Sequence, residues 1–243
     1  MNSKIVMLVL LAMVLLLMIA GISYAISPNE QAQIIAEEEF PKLLKDVIEP
    51  NNEGVGFPDK DQYENVSLGE PLEHYEIDFD SFDPDKGIDE QSKQNLFYTF
   101  PVMLDDSASI GFTVGVQANG EWEVIDVGGG LNKTVSQMAD EQGLSNSRVL
   151  HFAGAMLIVA TRDDKVVGYA PYYPYEPDLK EKTVVSEDEI MKILVYRHKE
   201  FQELIKNGNP QGLLGGPGLA AASAGHKQEG VIKRLTRFVK HVL

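Results

Sequence analysis

Every side chain from Ile5 to Ala20 is apolar; beyond that run, apolar and polar residues alternate with recognisable periods. Lys4 precedes the run, Gly21 breaks it, and the small residues Ser23 and Ala25 frame a cleavage site. That layout predicts a secretory signal over residues 1–25, with the mature chain starting near Ile26. The same run is long enough to span a bilayer as an uncleaved N-terminal anchor. Either way, the remainder of the chain is expected outside the cytoplasm, secreted or in the cell envelope.

The next period is helical. Ser27-Pro28-Asn29-Glu30 has a capping residue, a proline suited to the first helical position and a glutamate three after the cap. Ala32, Ile35, Ala36, Phe40, Leu43 and Val47 then recur on one face, with Pro41 expected to kink or divide the helix and Pro50 to Gly54 to end it. Thr134-Val135-Ser136-Gln137 reads as a second capping box, with Gly143 closing a short helix. Ser186-Glu187-Asp188-Glu189 is a third, opening a helix that shows Ile190, Ile193, Leu194, Phe201, Leu204 and Ile205 on one side and stops at Asn207-Gly208.

Between the helices the period drops to two. Tyr75 to Phe79 alternates as a strand with one wet face, and Leu96 to Leu104 follows an acidic loop. Ile110–Val116 and Glu121–Val127 flank Gln117-Ala118-Asn119-Gly120, where Asn-Gly between two alternating runs predicts a hairpin. Arg148–Thr161 and Lys165–Tyr172 form a further pair turning through Arg162-Asp163-Asp164. Strands run together instead of alternating with long helices, so the expected class is α+β: an N-terminal helix packed on a curved antiparallel sheet, with an additional hairpin and C-terminal helices. The expected division is an exported domain over 26–207, which could comprise two sub-domains. A Gly/Ala/Pro-rich linker then covers 208–226, and a basic amphipathic helix 227–243.

The helix Ser27–Ile48, the phrase Leu68-Gly69-Glu70-Pro71-Leu72-Glu73-His74-Tyr75 leading into a strand, and the hairpin around Gly120-Glu121-Trp122 together resemble secreted bacterial cystatin-like and PepSY-like modules. The resemblance covers residues 27–130 and rests on the order of elements. It implies a helix laid over an antiparallel sheet, and a role in restraining extracellular peptidases or as a prodomain. Long acidic insertions and the C-terminal extension depart from the compact PepSY pattern, and no functional residue carries over.

Composition narrows the function. Hydrophobic residues make up 44% and charged residues 24% of the 243, which is globular chemistry, and removing the first 25 leaves about 218 residues, enough for a full core. With no Cys, disulfides, thiol catalysis and thiolate zinc sites are excluded, and export without disulfides points to a prokaryotic source. The net charge of -16 is uneven: residues 26–100 hold 19 acids against 5 bases, whereas 191–243 hold 3 against 9. An acidic body with a basic tail does not suit nucleic acid, which needs clustered Lys and Arg.

Candidate chemistry is sparse. Asp78, Asp80, Asp83, Asp85 and Asp89 form the densest carboxylate cluster, and alternate spacing can turn several oxygens toward calcium, although the register fails for an EF-hand. Of the five histidines only His74 and His151 are candidates for a shared site. Gly128-Gly129-Gly130 lacks the Gly-Lys core of a phosphate loop. Tyr172, Tyr173 and Tyr175 among prolines suit gripping a peptide or a sugar, or else an edge strand that leaves the sheet and packs its rings on the body. In the tail, Lys233, Arg234, Arg237 and Lys240, beside Phe238 on the apolar face, suit an anionic membrane surface or an acidic groove. No catalytic or cofactor motif is present, so the expected function is an exported, non-catalytic module that binds a protein or peptide, in one form an extracellular peptidase. The alternatives are an envelope protein docked through its basic helix and a metal-assisted hydrolase built on His74 or His151.

Overall fold

The computed structural model describes residues 26–48, 65–104, 107–117, 119–172 and 179–207. Helix α1 (Pro28–Leu43) starts where the pattern places it. Ser27 Oγ accepts the Glu30 backbone N–H at 3.2 Å, and the Glu30 carboxylate accepts the Ser27 N–H at 2.9 Å, closing the capping box. The helix continues through Pro41 and loosens into a π-helical turn at Leu44–Ile48. Strands β1 (Val66–Leu68) and β2 (Leu72–Ile77) follow, then the short helix α2 (Ile88–Gln91) and strands β3 (Ser92–Leu104), β4 (Ser107–Val116) and β5 (Trp122–Val127). Next come α3 (Leu131–Gln142), β6 (Ser145–Phe152), β7 (Ala155–Arg162), β8 (Lys165–Tyr169), β9 (Val185–Ser186) and α4 (Glu187–Lys206).

The fold is α+β, built on one open sheet in the order β5-β4-β3-β2-β6-β7-β8-β9, with β1 also paired to β3. All pairings between these strands are antiparallel except β2–β6, which is parallel. That one junction joins the strands of residues 66–127 to those of 145–186. Register decides which helices share a face. Glu73 lies opposite Tyr98 and Tyr75 beside Leu150, so the Tyr98 surface under α1 and the Leu150 surface under α4 are the same face.

On that face α1 sets Ala32, Ala36 and Leu43 against Tyr98, Phe100, Phe112 and Val114, with Phe40 stacked on Phe112 at 6.4 Å. Each fully buried aromatic here contributes on the order of 2–3 kcal/mol. Ile190, Ile193 and Leu194 of α4 cover Leu150, Phe152, Leu157 and Val159. Gly168 lets α4 come this close, since a Cβ there would lie 2.6 Å from both Ile190 Cδ1 and the Ile158 carbonyl. Helix α3 covers the opposite face, packing Met138 with Leu72, Val149 and Ile158. The acidic loop after β2 is held by rings: Phe79 meets Phe201 at 4.9 Å and His198 at 4.5 Å, and His198 Nε2–H donates to the Phe79 carbonyl at 3.1 Å.

Two local expectations are corrected. Thr134 does not cap a helix: α3 already starts at Leu131, Thr134 N–H donates to the Gly130 carbonyl at 2.8 Å, and the Thr134 side chain is buried. The stretch Arg148–Thr161 is not one strand. It turns at Ala153 (φ 45°) and Gly154 (φ 74°) to make the β6–β7 hairpin.

Candidate functional site

Two places combine chemistry with geometry. The first is an open groove of about 910 Å³ between the first two turns of α1 and the link from β1 to β2. The capping box orients α1, while the Gly69 N–H donates to the Pro101 carbonyl at 3.0 Å and pins the link to β3. Ile26, Ile34, Leu68 and Pro71 supply apolar lining, and Glu30 and Glu70 supply charge. Ile26 is 53% and Ile34 43% exposed, large apolar side chains left facing water. The hydrogen bonds from the Ser27 backbone and hydroxyl hold the Glu30 carboxyl below the usual carboxylate range, so the groove stays anionic.

The second place is a polar chain on the α3 side of the sheet, crossing β6, β2, β3 and β4. His151 Nε2 lies 2.9 Å from His74 Nδ1, His74 Nε2 lies 2.8 Å from Thr99 Oγ1, and Thr99 Oγ1 lies 2.8 Å from Thr113 Oγ1. The proton order runs one of two ways. Either His151 Nε2–H donates to His74, whose Nε2–H donates to Thr99, or the hydroxyls donate toward the rings in reverse. In both cases, with the pair neutral, each of the three links has one donor and one acceptor. Burial pushes His74 down to about 3, helped by the neighbouring His151, and burial alone pushes His151 down to about 4. Although His151 keeps an edge at the surface, its ring is desolvated by the strands around it. The pair is therefore neutral throughout the physiological range.

Helix α3 closes over this chain. Asn132 is buried with its Nδ2 pressed onto the sheet where a Gly111 Cβ would lie 2.3 Å away, and that nitrogen has no hydrogen-bond partner among the described residues. The sequence named His74 and His151 as the histidines to share a site, and the fold brings them into contact. Thr99, Thr113 and Asn132 were not foreseen.

The carboxylates singled out in the acidic loop are turned to local bonds. Asp78 accepts the Asp80 N–H and Asp83 the Asp85 N–H, each at 3.0 Å, while Asp89 pairs with Arg148. Among the described residues no group of three or more His, Asp or Glu side chains converges for a metal ion. Tyr172 is half-buried in the bend that follows β8, and Tyr173 and Tyr175 lie outside the described residues. The tail residues Lys233, Arg234, Arg237, Phe238 and Lys240 and the apolar run 5–20 lie outside them too. No described helix is long and apolar enough to cross a membrane. The groove lining was missed by sequence reading, although Ile34 carried a signal: it is an apolar residue off the stripe that α1 buries.

No protein-family model, curated protein or solved structure matches the chain.

Proposed function

We propose that this chain is an exported, non-catalytic binding module that grips a peptide or protein segment in the groove between α1 and the β1–β2 link. The observation that carries this reading is the pair of exposed isoleucines, Ile26 and Ile34, lining an open groove beside Glu30 and Glu70. Apolar anchors with a rim of one charge suit a segment offering one or two apolar side chains flanked by Lys or Arg. The helix-over-sheet arrangement of residues 28–127 supports the form of this reading in which the segment belongs to an extracellular peptidase.

Selection of displayed random peptides on the immobilised chain tests it. The expected result is a consensus with an apolar residue next to basic ones, whose binding falls about tenfold or more in Ile34→Glu. Glutamate is a good helix former, and Ile34 is an exposed helix position, so that variant should keep its fold. Absence of any enriched peptide, or peptides indifferent to both Ile34→Glu and Glu70→Lys, would count against the groove.

A further inference from the structure

We propose that the parallel β2–β6 junction is an acid-triggered latch: when His74 and His151 both take up protons, the two halves of the sheet part there and the core under α3 loosens, while the cores under α1 and α4 stay closed.

Three observations support the latch. The first is mechanical. The β2–β6 ladder pairs three residues, His74 with Val149, Tyr75 with Leu150 and Glu76 with His151, whereas β3–β4 pairs eight and β6–β7 six. It is also the one parallel pairing among these strands, and parallel ladders are slightly weaker per residue.

The second is the chemistry of the contact. At 2.9 Å the two imidazoles share one proton between His74 Nδ1 and His151 Nε2. One added proton leaves that bond intact but places a charge in a desolvated site. A second sets two N–H groups and two positive charges against each other, with no acceptor between them.

The third is that, among the described residues, no carboxylate is hydrogen-bonded or ion-paired to the rings: Glu76, beside His151, is exposed and its Oε2 accepts from Asn95 Nδ2 at 3.3 Å. On β3 the neighbours are Thr99 and Phe97, on β4 Thr113, and on β7 Met156. Helix α3 turns Asn132, Thr134 and Met138 inward and leaves Lys133, Asp140 and Glu141 exposed. On this face Glu76 stands in register with His151, and Lys93 stands opposite Glu76 on β3; both are exposed. On the other face Arg148 spans the junction, over the Tyr75 ring and paired with Asp89, so it does not reach the imidazoles.

Each half has its own cover. Helix α1 sits over β3–β5, and α4 over β6–β8. Helix α3 spans the junction, with Asn132 against Gly111 of β4 and Met138 among Leu72, Val149 and Ile158, so the core under α3 and the Ile77–Leu150 contact must loosen in the open state.

Amide hydrogen exchange of the full chain at pH 7 and pH 5, corrected for intrinsic exchange, tests the latch. If opening restores ordinary titration to both rings, the opening constant rises roughly 500-fold over this interval. Peptides covering 72–77 and 145–152 should show that rise, and those covering 107–116 should lag well behind it. His74→Gln and His151→Gln each remove one titrating ring and should cut the rise to roughly 25-fold. Where a variant fails to fold, imidazole proton resonances of the unaltered chain decide, and both rings should stay neutral in the closed form at pH 5. Equal loss of protection in all strands would overturn the latch, as would unchanged protection at the junction or rings titrating near 6.5 in the closed protein.

Discussion

Acid should destabilise this protein through two buried histidines, His74 and His151. His74 is held at about 3 and His151 at about 4 in the folded state, against 6.5 for the free side chain. A group whose folded value is depressed leaves its stability contribution intact above the unfolded value and loses it as pH falls toward the folded value. The window is therefore pH 6.5 down to about 3. At pH 5 the unfolded chain binds almost two more protons at these rings than the folded one. Each ring then costs about 2 kcal/mol relative to pH 7, about 4 kcal/mol together. That is a large share of the 5–15 kcal/mol typical of a domain. Hydrogen bonds from the capping serines Ser27 and Ser186 lower the Glu30 and Glu189 carboxyls from their ordinary value. The assay is urea unfolding at pH 7 and pH 5, followed by the fluorescence of Trp122, the single tryptophan, which packs 6.0 Å from the Tyr98 ring. The His74→Gln/His151→Gln double variant subtracts every contribution not owed to these rings. Stability independent of pH between 7 and 5, or an equal loss in the double variant, would refute the assignment of the depressed values to a buried neutral pair.

Three further substitutions follow from packing. Gly111→Ala puts a Cβ 2.3 Å from Asn132 Nδ2 and 3.2 Å from the Phe100 carbonyl, so the buried Asn132 side chain or α3 must shift; a loss of about 1–3 kcal/mol in urea unfolding is expected, and unaltered stability would contradict the close fit. Phe79→Ala removes the ring between His198 and Phe201, which should cost about 2 kcal/mol, half-buried as it is, and speed proteolysis within 78–91; an unchanged cleavage rate would show that the rings do not hold the loop. Tyr169 is fully buried, its hydroxyl lacks a partner among the described residues, and burial pushes it up, so Tyr169→Phe should leave stability unchanged or raise it by about 1 kcal/mol; a clear loss in thermal unfolding would show that the hydroxyl is bonded.

What the sequence revealed depended on how local the information was. The capping boxes at Ser27 and Ser186 were readable because both partners sit three residues apart, and the hairpin at Asn119-Gly120 because its strands alternate. The turn at Ala153-Gly154 was hidden by burial. Residues 149, 150, 152, 155 and 157–160 are buried whichever face they occupy, so β6 and β7 ran together as one apolar stretch without a two-residue period. The start of α3 was misplaced because its cap, Gly130, makes no side-chain bond, while Asn132 and Thr134 face the sheet instead of the helix end. His74 and His151 are 77 positions apart and meet through the parallel β2–β6 pairing, a long-range match that no local period encodes. The groove was written only as an exception: an isoleucine on the wet side of an amphipathic helix.

The most direct measurement on the proposed binding role is a chemical-shift map of the backbone amides, recorded as a selected peptide is titrated into the full chain. Groove binding should move Asn29, Gln33 and Ile34 together with Leu68, Gly69 and Glu70, and leave the free edge of β5 at 122–127 unmoved. Shifts confined to that edge, or no shifts at saturating peptide, would contradict a binding module that works through α1 and the β1–β2 link.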